Sequence, residues 1–129
     1  MNTVWIVHPL TLDLLPAQRW GQIRFINSGY LEASFLAEHG KLPKDPAERI
    51  LGAATEFDKL TDYVLFAGDH VQLMQFCFFL AEQGKEFQML RWDRESEGYY
   101  PVKMQFSVRP YTLTQRDASA RVVVGHNHP

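Results

Sequence analysis

One cysteine, Cys77, stands among the 129 residues, and that scarcity removes two classes of architecture. A single thiol closes no intramolecular disulfide and builds no thiolate zinc site. Runs of Lys or Arg are also missing, and the net charge is −2, which argues against a general polyanion binder and so against nucleic acid as a partner. The longest uninterrupted apolar run covers residues 76–81, far short of the roughly 20 residues that span a bilayer. No charged segment followed by an apolar one opens the chain, so neither a secretory leader nor a membrane partner is expected, and the cytoplasm is the expected location.

Signatures of chemistry are equally scarce. There is no HExxH, no P-loop, no GxGxxG and no GxSxG. His8, His39 and His70 share no paired spacing, and the HxH of His126 and His128 falls at the very end of the chain, a poor setting for a functional metal site. Ser28 lies in a turn sequence, and Cys77 lies inside an apolar helical stripe, where a thiol is an inert filler. Asp93, Glu95 and Glu97 alternate along a polar turn and read as solvated. No catalytic residue, metal ligand or cofactor is therefore assigned.

What is present is an ordinary globular balance, 46% hydrophobic and 22% charged, with aromatics at 13%. The length suits one domain over 1–129, with 125–129 a frayed tail. Its centre is the stretch 62–93, which reads as strand, tight turn, apolar helix, turn and strand: a βαβ unit. Further strands are expected near 3–8, 22–27 and 99–107, beside those near 63–67 and 87–93. The last pair forms an antiparallel hairpin, with Pro101 confining its strand to an edge or a bulge. A short helical turn is expected over 13–20, residues 30–39 are ambiguous, and 120–124 suits a final short strand. The predicted class is a single α/β domain with a mixed, mostly parallel sheet.

Two helices are predicted. One covers 46–59, started by Asp45 as N-cap, Pro46 at the first position and Glu48 closing a capping box. Its Gly52 costs about 1 kcal/mol against alanine, which packing is expected to offset. The other covers 69–83, capped by Asp69. On a helical wheel Val71, Leu73, Met74, Cys77, Phe78, Leu80 and Ala81 form a broad stripe assigned to the core. Gln72, Gln75, Glu82 and Gln83 fall opposite, with Phe79 among them and Phe76 on the margin. A phenylalanine on a wet face needs a cover, so Phe76 and Phe79 are the candidate protein interface.

In open α/β sheets ligands bind outside the carboxyl ends of the strands. Those ends carry Gly68, Asp69 and His70 after one central strand and Trp92, Asp93 and Arg94 after the next. A helix N-terminus there offers amide donors to a small anion or nucleotide.

Asp62-Tyr63, Gly68-Asp69, Trp92-Asp93-Arg94 and Tyr100-Pro101-Val102 together resemble a group of small tailed-bacteriophage proteins over residues 62–102. The resemblance implies a phage origin and expression inside a bacterial host, and it carries over no catalytic residue. The two functional expectations are a non-enzymatic binding protein acting on a host protein or by self-association, and a small nucleotide- or anion-binding protein, enzymatic or not, using the sheet edge at residues 68–70 and 92–94.

Overall fold

The computed structural model describes residues 2–106. In chain order the elements are β1 (Thr3–Ile6), α1 (Leu15–Gln18), β2 (Gln22–Phe25), α2 (Ala33–His39), α3 (Lys44–Glu56), β3 (Tyr63–Leu65), α4 (His70–Glu82), β4 (Phe87–Asp93) and β5 (Gly98–Met104). The strands form one sheet in the order β2-β1-β3-β4-β5, parallel throughout except for the β4–β5 hairpin. The mixed sheet and its central βαβ unit are as the sequence predicts. The suggested strand at 120–124 and the tail at 125–129 lie outside the described residues.

From β1 the chain steps to β2 on one side, then crosses back over β1 to β3 and continues to β4. Right-handed connections running in opposite directions must place their helices on opposite faces. Accordingly Ala17 of α1 packs with Val4, Ile6, Leu65 and Leu90, whereas α3 and α4 cover Trp5, Val7, Val64 and Phe87 on the other face. At the centre of that larger core Phe76 lies 6.4 Å from the ring of Trp5 and 6.0 Å from that of Phe57.

Both ends of the larger core are tied by polar groups. At the amino ends of the strands, buried Asp62 accepts from Trp5 Nε1 at 3.0 Å, the Thr3 amide at 3.1 Å, the Asp58 amide at 3.0 Å and Thr61 Oγ1 at 3.1 Å. A carboxylate taken out of water needs such a set of donors. Here it joins β1, β3 and the loop after α3. Lys85, just past α4, donates from Nζ to the carbonyls of Ala54, Thr55 and Phe57 at 2.7, 2.9 and 2.8 Å. These acceptors lie at the C-terminus of α3, where the helix dipole favours a cation.

Three expectations are corrected. Helix α3 begins at Lys44 with Pro43 at the cap, so Asp45 lies in the first turn and caps nothing; Glu48 instead faces Lys44 at 3.8 Å. Proline fixes the extended backbone that an N-cap requires, and no side-chain cap is made. The second correction concerns α4, which is rotated by roughly 100° from the expected orientation. Its buried residues are Gln72, Leu73, Phe76 and Leu80, with Cys77 and Phe79 partly covered against the same core. Phe76 is therefore the middle of the core, and Phe79 is partly covered against it, so neither stands on a wet face of the helix. The exposed aromatic is Phe78, at 67%.

Gly52 is the third. A Cβ built there meets nothing within 4 Å, so no packing offsets its helical penalty. Gly52→Ala is expected to raise stability by about 1 kcal/mol, read as a higher midpoint in urea at unchanged slope.

Candidate functional site

The reversal of strand order falls between β1 and β3, the position where open α/β sheets usually leave a ligand crevice. Here side chains fill it. His8, fully buried just after β1, accepts the Asp69 amide on Nε2 at 2.9 Å. Its proton therefore sits on Nδ1, which donates to the Pro9 carbonyl at 2.8 Å. The ring of Tyr30 covers it at 4.2 Å. Gly68 adopts φ +94°, and a Cβ there would stand 2.8 Å from Val7 Cγ2 and 3.1 Å from His8 Nε2. The glycine is required by this close approach, not by a phosphate.

Asp69 is the N-cap of α4 as predicted, accepting the Val71 amide at 3.0 Å. Its other oxygen accepts Gln72 Nε2 at 3.1 Å, and the same Nε2 donates to the Gly29 carbonyl at 3.0 Å. Gln72 Oε1 accepts Asn27 Nδ2 at 2.9 Å, and Asn27 Oδ1 accepts Arg49 Nε at 2.6 Å. Among the described residues no buried side-chain polar atom lacks a partner. At the α4 N-terminus the Asp69 carboxylate already takes the Val71 amide, one of the donors that an anion would use there.

The other predicted site residues do not converge. His70 and Arg94 are exposed. Asp93 is a turn residue: it accepts from Ser96 Oγ at 2.7 Å and from the Glu95 amide at 3.3 Å. The Ser96 hydroxyl, first among its causes, holds the Asp93 carboxyl below its ordinary value. Trp92 faces the α1 side, edge-on to Tyr99 at 5.1 Å. There it lines a cleft of about 470 Å³ with Leu12, Asp13, Phe66, Glu97 and Tyr99. Among the described residues the charged ones lining the cleft are the two carboxylates, so the electrostatic sign opposes an anion. No local motif announces this cleft, because three separate segments assemble it.

The opposite face carries an apolar surface. Val71, Met74, Phe78 and Ala81 stand on the outer side of α4, with Met74 57% and Phe78 67% exposed. Beside them β5 turns Tyr100, Val102 and Met104 to the same side as Phe87 and Met89, and no helix among the described residues covers it; Phe106 follows. A groove of about 210 Å³ runs between Met74, Phe78, Phe87, Met104 and Phe106. Cys77 lies at its margin with its thiol pushed up to about 11 by burial, which keeps it an inert thiol. These residues carry their signal in the sequence, but as a stripe assigned to the core.

The edge of β5 is less open than its face. The Leu90 carbonyl accepts the Phe66 amide at 2.9 Å, so the polar groups of Leu90 turn toward β3. Pro101, directly opposite Leu90, then turns its missing donor to the outside. A proline at that place blunts strand addition.

Replacing Gln72 by leucine keeps the helix but strands Asn27, the Gly29 carbonyl and Asp69. We expect a loss of about 2 kcal/mol, read by chemical denaturation, although leucine is the more apolar residue.

A family profile described as Phage Pam3 gp32-like protein matches residues 3–106. The match runs from the first residue of β1 to just past β5, well beyond the segment 62–102 that carries the visible resemblance. No curated protein and no solved structure matches the chain. With most of its length matched, the chain belongs to the Phage Pam3 gp32-like family of phage proteins.

Proposed function

We propose that this phage protein works by protein–protein contact inside the bacterial host, through the outer face of α4 and the adjoining face of β5, and that the occupant of this face is a second copy of the chain. One observation carries the reading. Val71, Met74, Phe78 and Ala81 are spaced three, four and three residues apart, the a/d spacing of a helix seam, and all four are exposed. No charged residue interrupts the helix between His70 and Glu82. A helix apolar on every side is normally covered on every side.

A charge-free seam with this spacing is complementary to itself. Packed antiparallel about a two-fold axis, Met74 of one protomer lies opposite Phe78 of the partner subunit, and Val71 opposite the partner's Ala81. At 13 residues, α4 is about 20 Å long, and the uncovered face of β5 extends the surface sideways toward the size of a stable interface. Because Pro101 disfavours edge-to-edge pairing, the contact uses faces.

Sedimentation equilibrium of the full chain tests it. A dimer is expected for the parent and a monomer for Phe78→Glu, with unchanged circular dichroism because Phe78 is not part of the core. A monomeric parent overturns self-association. If a pull-down from host lysate then retains the same proteins on parent and Phe78→Glu, contact through this face is overturned as well.

A further inference from the structure

We propose that the cleft on the α1 side of the sheet binds an organic cation, an ammonium group with apolar substituents, between the rings of Trp92, Phe66 and Tyr99 and the carboxylates of Asp13 and Glu97. It is separate from the α4 surface, since α1 and α4 lie on opposite faces of the sheet.

The chemistry of the walls selects the ligand. Leu12, Phe66 and Trp92 are all exposed although large and apolar, and they converge on one cleft of about 470 Å³. That volume admits a small organic ion. Trp92 and Tyr99 meet edge to face at 5.1 Å and present ring surface with negative quadrupole character. Both formal charges lining the cleft are negative. An anion is repelled, and a neutral apolar ligand gains nothing from the two carboxylates. A cation with an apolar body satisfies rings and carboxylates together.

The backbone supports the same assignment. Glu97 has φ +52°, a conformation that suits glycine or asparagine and is uncommon for a longer side chain. The turn is held by the Asp93 carboxylate through Ser96 and Glu95, and it delivers the Glu97 side chain to the cleft. A strained residue at the rim of a cavity is a recurrent mark of a binding site. On the facing wall Asp13 stays close enough to raise the Tyr99 phenol, after burial the second cause of that shift. One oxygen of Asp13 accepts the Leu15 amide at 2.9 Å, which fixes the carboxylate at the start of α1.

Two probes separate a free ligand from a side chain: benzyltrimethylammonium for the first, Nα-acetyl-lysine amide for the second. Each is titrated against the full chain while the Trp92 indole N–H is followed by NMR. The neutral control is neopentylbenzene, the carbon isostere of benzyltrimethylammonium. Saturable binding of one cation is expected, with the neutral isostere and the doubly substituted Asp13→Asn, Glu97→Gln chain each weaker by about tenfold or more. Asparagine still accepts the Leu15 amide, and both positions are exposed, so the double variant keeps its fold. Preferential binding of benzyltrimethylammonium assigns a free ammonium, and that of the lysine derivative a peptide side chain. Equal affinity for the neutral isostere, an unchanged double variant, or no shift by either cation up to about 20 mM overturns the proposal.

Discussion

The hydrogen bonds of Gln72 set the rotation of α4, and most of what distinguishes this surface follows from that rotation. Burial alone does not choose it. With Val71, Leu73, Met74, Phe76, Cys77, Phe78, Phe79, Leu80 and Ala81 in one helix, several orientations bury similar apolar area. Gln72 joins Asn27, the Gly29 carbonyl and Asp69, groups that stand at the ends of β2 and β3. Leaving each of these buried and unpaired costs about 1–3 kcal/mol, more than is gained by hiding one further methionine or phenylalanine edge. So Phe76 turns inward onto Trp5 and Phe57, and Phe78 is left in solvent.

The same network closes the place where an α/β sheet ordinarily binds its ligand. His8 and Gly68 fit against each other at the strand-order reversal, Asp69 takes the helix amide that an anion would use, and Arg49 is engaged by Asn27. At the opposite end Asp62 seals the amino ends of β1 and β3. Two openings lie to the sides of the sheet. One is the aromatic, acidic cleft beside α1; the other is the apolar surface of α4 and β5. They differ in chemistry, one carrying formal negative charge and the other almost none. A small domain can thus carry two contacts without either disturbing the core that separates them.

Much of the fold was legible because it rests on local physics. The apolar runs at 3–8 and 63–67, the Asp69 cap, and the glycines after β3 and α4 all act over a few residues and mark real boundaries. Pro101 signalled an edge strand for the reason now visible, its absent donor facing outward. The errors have physical causes too. At α3 the dipeptide Asp45-Pro46 offered an attractive start, but Pro43 had already set the extended backbone two residues earlier. For Gly52, packing was invoked where there is only solvent. Residues 68–70 and 92–94 occupy the same end of the sheet, but Gly68 and Asp69 are engaged beside α4 whereas Trp92 faces the α1 side, a division that no local pattern encodes.

Composition, period and turn residues by themselves determined an α/β domain, the positions of its strands, the parallel centre with a terminal hairpin, and kinship with phage proteins. They act through backbone preferences and through the choice of water or core, which a chain expresses locally. Only the tertiary structure decided which side of α4 meets solvent, that the strand-order reversal is plugged, and that Trp92 shares a cleft with Asp13 and Glu97. The first two depend on hydrogen-bond partners 45 and 61 residues apart in sequence, Gln72 with Asn27 and His8 with Asp69. A helix apolar all round encodes that it will be buried, but its polar neighbours in space decide which face is left for a partner.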